Sequence, residues 1–220
     1  MKFNSVFDII GPVMIGPSSS HTAGAARIGE AARTLFGMEP EWIKIHLYES
    51  FAKTYKGHGT DFALVGGLLG FKTDDPRMKE SLSIAAQRNI HVEFVEDEAA
   101  VDHPNTARIM IGRGREQMEL VGISIGGGKV SITELNGFEL RLSGNHPAVL
   151  IVHNDRYGAI ASVTDIFAKH EINIGHMEVN RKDVNQEALM VIEVDQNVND
   201  TILEQLNKAA HIIRISKIDG

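Results

Sequence analysis

No cysteine occurs among the 220 residues of the chain. Disulfides are excluded, and so is any thiolate metal ligand supplied by this chain. No block of lysine and arginine stands out, and 29 acidic residues against 22 basic ones give a net charge of −7. That balance argues against a nucleic-acid surface. No uninterrupted apolar run is long enough to span a bilayer. The opening MKFNSVFDIIGPV lacks the long apolar core and small-residue cleavage site of a secretory signal. The expectation is a cytoplasmic protein with no nucleic-acid and no membrane partner. What is present is an ordinary globular composition, 43% hydrophobic and 23% charged, enough for one large or two small domains. Histidine is well represented, at ten residues.

Apolar periodicity orders the first part of the chain. Ala25, Ile28, Ala32 and Leu35 recur at spacings of three and four, so residues 22–36 are expected to form a helix that Gly37 ends. WIKIHLY (Trp42–Tyr48) alternates as a half-buried strand does. A short apolar helix is expected over 60–69. Another is expected from the Asp75-Pro76 start to about Arg88. Strands are expected near 90–96 and 107–112. Glu119–Ile125 and Lys129–Leu135 are expected to pair through Gly126-Gly127-Gly128 as a hairpin. A phosphate loop fails there on spacing, because Val130 follows Lys129 where Ser or Thr is required.

LSGNHPAV (142–149) carries the Gly, Asn and Pro of a boundary, which divides the chain into domains 1–146 and 147–220. The second has its own pattern. Strands are expected at 149–153, 172–179, 188–194 and 212–218, with helices at 157–170 and 200–210. That βαββαβ order closes into a four-stranded antiparallel sheet with two helices on one face, a ferredoxin-like fold. Its order, its length and the segments His153-Asn154-Asp155-Arg156-Tyr157-Gly158 and Ile172-Asn173-Ile174 resemble an ACT domain. The resemblance implies edge-to-edge pairing and an amino acid bound at the pair interface, with His153, Asn154 and Asn173 as ligand contacts. Asp155 and Tyr157 depart from the commonest pattern, so a dimerising module without a ligand stands beside the regulatory reading.

GPSSSHTAGAAR (16–27) sets three serines, a histidine and a threonine directly ahead of a helix. One serine serves as a cap. Ser18, Ser19, Ser20, His21 and Thr22 together make a pocket of hydroxyls and backbone N–H groups at a positive helix end, suited to a carboxylate or phosphate. KGHGTDFA places His58 between two glycines, expected to be a turn. VDHPNTARI places His103 and Asn105 about a proline, and LYESF places Tyr48 and Ser50 at a strand end. Two chemistries stay open on these residues. In one, His21, His58 and His103 with Asp61 or Asp102 bind a metal, though no close helical pair such as H-x-x-x-H supports it. In the other, they are acid/base and carboxylate-binding groups of an elimination or transfer enzyme.

GPSSSHTAGAARIG, LYESFAKTYKGHGTDFALVGGLLG, DHPNTARI and SIGGGKVSITELNGF together resemble the β chain of the iron–sulfur-dependent L-serine dehydratases. The likeness spans the whole chain, ACT domain included. It implies an α+β protein, with an N-terminal α/β domain related to a small-molecule-binding domain of some phosphoglycerate dehydrogenases. It implies deamination of L-serine to pyruvate and ammonia. In the family a [4Fe–4S] cluster acts as Lewis acid on the substrate hydroxyl. A chain without cysteine cannot ligate that cluster, so the resemblance implies a cysteine-bearing α chain as partner. The site residues it implies are His58 and His21 for proton transfer or orientation, with Ser18, Ser19, Ser20, Thr22, Asn105 and Ser124 for substrate binding. No metal is assigned to this chain. A stand-alone amino-acid sensor, with both domains binding serine-like ligands, is the competing reading.

Overall fold

A computed structural model describes residues 12–144, 146–184 and 186–219. The described residues fall into two compact units that divide between Asn136 and Gly137. No described helix is long and apolar enough to cross a membrane.

The first unit begins with a π-helical turn, Ser19–Ala23, which runs directly into helix α1 (Gly24–Phe36). Ala25, Ile28 and Ala32 are fully buried, as their spacing requires. Gly37, at φ 79°, caps the helix by donating its N–H to the Arg33 carbonyl. Strand β1 (Trp42–Tyr48) follows, with Ile43, Ile45 and Leu47 buried on one face. Next come α2 (Glu49–His58) and α3 (Thr60–Leu68). A 3₁₀ turn at Pro76–Glu80, α4 (Ser81–Gln87) and β2 (His91–Asp97) continue the chain. Strands β3 (Thr106–Arg113), β4 (Glu116–Gly126) and β5 (Lys129–Leu135) complete the unit. These strands lie in the order β2-β1-β3-β4-β5, with β1 and β2 parallel and the other neighbours antiparallel. Gly126, Gly127 and Gly128 all take positive φ, as the tight β4–β5 turn demands.

Helix α1 packs on α3 and on β4. The helix pair touches backbone to backbone. A Cβ on Gly67 would collide with the Ala26 carbonyl, and one on Gly29 with the Leu64 carbonyl. Two expectations need correction here. The helix expected from Asp75 to Arg88 is broken: the Asp75 carboxylate caps a 3₁₀ turn by accepting from Arg77 N–H, and α4 starts only at Ser81. Ser81 is buried and donates its hydroxyl to the Phe62 carbonyl, which locks the change of winding in place. The turn expected about His58 is instead the end of α2, whose helix continues through Gly57 and stops at Gly59 in the left-handed region, φ 68°.

The second unit opens with β6 (Phe138–Leu142), a strand that sequence reading missed. It continues with β7 (Ala148–Asn154), α5 (Ala159–Lys169), β8 (Ile174–Arg181), β9 (Glu187–Val194), α6 (Asp200–Lys208) and β10 (Ile212–Ile218). The 4-stranded antiparallel sheet has the order β10-β7-β9-β8. Val149 and Ile151 on β7, with Met190 and Ile192 on β9, form one core with Val163 and Phe167 of α5 and Ile202 and Leu206 of α6. Helix α6 is capped by Asn199, whose Oδ1 accepts from Ile202 N–H at 3.0 Å.

Gly67→Ala should destabilise the chain by about 1–3 kcal/mol, because a methyl there overpacks a backbone contact. Thermal unfolding should show a midpoint lower by roughly 2–4 °C per kcal/mol. Gly57→Ala, where a Cβ meets nothing within 4 Å, should leave the midpoint unchanged or raised. Equal midpoints for Gly67→Ala and the native chain would show that the helix contact is not tight.

Candidate active site

The π-turn is built on Ser18. Its backbone is extended (φ −138°, ψ 126°), and its Oγ accepts from His21 N–H at 3.1 Å. Thr22 N–H and Ala23 N–H both reach the Ser18 carbonyl, at 2.9 and 3.3 Å, and Gly24 N–H reaches back to the Ser19 carbonyl. A π-turn is rare and concentrates at functional sites. It places the hydroxyls of Ser18 and Ser20 3.3 Å apart. The first-turn amides, which have no acceptor within a helix, lie beside them.

Thr22 joins this turn to the end of α2. It is 1% exposed, and its Oγ1 donates to the His58 carbonyl at 2.9 Å. The imidazoles of His21 and His58 consequently meet edge to face, with ring centroids 4.9 Å apart and an interplanar angle of 78°. His21 also rests edge-on against the buried Phe51 ring, at 5.3 Å. Both of its ring nitrogens are engaged. Nδ1 shares a hydrogen bond of 3.0 Å with Ser20 Oγ, and Nε2 one of 2.9 Å with Ser50 Oγ. Burial first, and the neighbouring His58 imidazole second, hold the His21 pKa below its ordinary 6.5. His58 is exposed. Asp61, just beyond, has its carboxyl pushed above the usual range by burial.

Asn105 and Ser124 form a second pair. Ser124 N–H donates to the Asn105 carbonyl at 3.0 Å, and Asn105 Nδ2 donates to the Ser124 carbonyl at 3.4 Å. Ser124 is fully buried and lies directly behind Gly24, where a Cβ would strike its Oγ. Its hydroxyl and Asn105 Oδ1 are buried without a hydrogen-bond partner among the described residues. The pair therefore lies behind the start of α1, with Ser124 closed off from the surface. His103 accepts from Asn105 N–H through Nδ1 and lines a separate cavity of about 290 Å³ with Asp102, Thr106 and Thr133. The metal set weighed from sequence is not assembled: among the described residues no three His, Asp or Glu side chains are placed to hold an ion.

In the second unit His153 is 2% exposed. Its Nδ1–H donates to the Asn154 carbonyl at 2.8 Å, and its Nε2 has no partner among the described residues. Asn154 is anchored through its amide to the His211 carbonyl. Asn173 donates Nδ2–H to Asp195 Oδ2 at 2.7 Å. The β-register locates these residues. His153 lies opposite Ala188, which lies opposite Arg181 on β8, whereas Ile174, next to Asn173, pairs with Val194. His153 and Asn173 thus sit at opposite ends of the sheet, roughly 23 Å apart along the strands. Within one copy they do not converge on one ligand.

Sequence reading named Ser50 among the polar clusters but placed it at a strand end, whereas it lies in α2 against His21. The signal was available. Phe51, Tyr55 and His58 recur at spacings of four and three, which is a helical stripe, and Phe51 is fully buried.

Comparison with known proteins decides the family. The description "Serine dehydratase beta chain" matches residues 5–134, and "ACT domain" matches residues 148–211. The chain belongs to the serine dehydratase beta chain family. It is 63% identical over 218 residues to a probable L-serine dehydratase β chain of Bacillus subtilis (strain 168), covering 99% of each. It is 34% identical to the L-serine dehydratase β chain of Peptoniphilus asaccharolyticus, over 90% of each. A D-3-phosphoglycerate dehydrogenase of Bacillus subtilis (strain 168) is 34% identical over 88 residues, which is 40% of this chain and 17% of that one. The family assignment rests on the first two, since they share nearly the full length of this chain.

The depressed His21 pKa has a stability consequence with a definite sign. The unfolded chain takes up this proton near pH 6.5, and the folded chain only at lower pH. Stability conferred by neutral His21 is complete above that range and falls as pH drops below 6.5. Histidine NMR titration should place the His21 midpoint below 6.5. In His58→Gln the midpoint should rise, because one of its two depressing causes is gone. An unmoved midpoint would show that the two rings are not electrostatically coupled.

Proposed function

We propose that this chain is the β chain of a two-chain L-serine dehydratase, which converts L-serine to pyruvate and ammonia, and that the His21–His58 pair over the serine-rich π-turn is its share of the active site. The observation that carries the reading is that pair itself, held by Thr22 and the serines, in a chain that aligns with dehydratase β chains over nearly its whole length. The same full-length match favours an enzyme subunit over a stand-alone sensor.

The chemistry divides among the residues by what each has free. The serine carboxylate is bound at the positive start of the π-turn, by first-turn amides and the hydroxyls of Ser19 and Ser20. Both ring nitrogens of His21 are engaged by Ser20 and Ser50. His21 therefore orients, and the exposed His58 moves the α-proton. Loss of the β-hydroxyl leaves an enamine, which hydrolyses to pyruvate and ammonium. Ser18 and Thr22 hold the turn, and Asn105 and Ser124 support it from behind. The residues of this chain do not fit an iron–sulfur cluster, since it has no cysteine and no three-residue His/Asp/Glu group among the described residues. In this reading the [4Fe–4S] cluster belongs to a cysteine-bearing α chain, where it would supply Lewis acidity to the departing hydroxyl. The complex works in the cytoplasm.

The second unit supplies self-association. Because His153 and Asn173 lie at opposite ends of the sheet, a ligand touching both must lie between two copies. Sedimentation should show the chain as a dimer or larger. Calorimetry should show saturable binding of L-serine or another small amino acid that is lost in Asn173→Ala. A strictly monomeric chain would rule this arrangement out.

The catalytic reading is tested by co-expression with a cysteine-bearing α chain and anaerobic purification. Pyruvate should be released from L-serine by the pair and by neither chain alone. His58→Ala in the assembled pair, with the cluster intact, should lower kcat by about 10²–10⁴-fold. Near-normal turnover in that variant would remove His58 from proton transfer.

A further inference from the structure

We propose that Ser50 is a positioning residue that holds the His21 imidazole in its plane against His58, an inference whose kinetic consequence rests on the dehydratase reading. The Ser50 hydroxyl lies 2.9 Å from His21 Nε2, on the opposite edge of the ring from Ser20. A ring hydrogen-bonded at both nitrogens cannot rotate about its Cβ–Cγ bond without losing both contacts. The edge-to-face meeting with His58 is therefore set by two hydroxyls, one from the π-turn and one from α2.

Ser50 is itself fixed to an unusual degree. Its N–H and that of Phe51 both reach the Pro104 carbonyl, at 3.0 and 3.3 Å. Its own carbonyl accepts from Thr54 Oγ1 at 2.7 Å. The preceding residue, Glu49, sits in the left-handed region at φ 39°, which costs about 1 kcal/mol or more for a non-glycine residue. That conformation carries the chain from β1 into α2 in a direct kink, with Tyr48 as the last strand residue and Glu49 as the first helical one. It puts the first turn of α2 against the π-turn. Ser50, Phe51 and His58 then all touch His21 or its ring neighbour, so that α2 grips the imidazole along its length. A hydroxyl at this place is needed because the ring presents a nitrogen there, which an apolar residue would leave unpaired.

The test uses the full chain with ¹⁵N-labelled histidine, and the same variants assembled with the α chain. Ser50→Ala should shift the His21 ring-nitrogen resonances and move its titration midpoint up toward the ordinary value as water reaches Nε2. Ser50→Cys, close in shape but a weak hydrogen-bonding group, should move them in the same direction. Ser50→Thr, which keeps the hydroxyl, should restore the native values. In the assembled enzyme, Ser50→Ala should lower kcat by about ten- to a hundredfold with KM little changed, as expected when a reacting group is misplaced while binding survives. Unaltered His21 resonances and midpoint in both Ser50→Ala and Ser50→Cys would overturn the inference, whatever the rates. Altered resonances with native kcat would overturn the claim that the ring position matters to the reaction. If the native pair released no pyruvate while His21 still responded to Ser50, the dehydratase reading would fail and the Ser50–His21 assignment would stand.

Discussion

The contact between α1 and α3 is the constraint on which the rest of the first unit depends. Gly29 and Gly67 let the two helices meet without side chains between them, and Ala25, Ala26 and Ala63 keep the surrounding surface small and buried. Such an approach fixes the relative height of the helices to a fraction of a side chain, since there is nothing soft to yield. The start of α1 is thereby held within hydrogen-bonding reach of the α2–α3 junction. Thr22 and the His58 carbonyl meet there, and the two imidazoles follow. The geometry of the proposed site is inherited from a backbone contact that carries no chemistry of its own.

The π-turn resolves a conflict at that junction. An ordinary N-cap satisfies one or two amides and then turns the chain into an α-helix. Here the wider winding accommodates a histidine that must face α2 and a threonine that must face the His58 carbonyl, while Ser18 still caps the turn. Behind it, Gly24 leaves no room for a side chain beside Ser124. Buried hydroxyl and amide oxygens without partners, at Ser124 and Asn105, are energetically costly in a stable core. Their presence beneath a turn lined with serines marks this as the part of the fold where stability has been given up for polarity.

The strands and the α1 stripe were legible in sequence because they follow a single period over many residues. The βαββαβ order was legible for the same reason. Helix α2 was not, because Gly57 and Gly59 flank His58 and look like a turn. The stripe of Phe51, Tyr55 and His58 carried the helical period, but the left-handed Gly59 is what shows that the helix runs through the first glycine and stops at the second. The kink at Glu49 has no sequence signal, since nothing in Glu announces a positive φ. Ser50 was visible as part of a polar cluster, but its contact was not: its partner, His21, lies 29 residues away. The small polar residues of the π-turn were visible as a cluster, but their division between cap, tether and ring contact needed coordinates. Strand β6 was lost to the glycine- and proline-containing segment that follows it.

The sheet register of the second unit bears on how a ligand there would act. In the proposed pairing, His153 of one copy and Asn173 of the other face the same ligand, and a two-fold axis generates the second such site. Ligand affinity and self-association then become one linked equilibrium, because the site does not exist in a single copy. Asn173 is already held by Asp195, and His153 Nδ1 by the Asn154 carbonyl, so each half arrives pre-oriented. With Nδ1–H so engaged, His153 Nε2 is left as an acceptor, buried and unpaired among the described residues. An ammonium group supplies such a donor and a carboxylate does not. In that pairing an amino acid would offer its amino end to this nitrogen and its carboxylate to the backbone amides at the turn into α5.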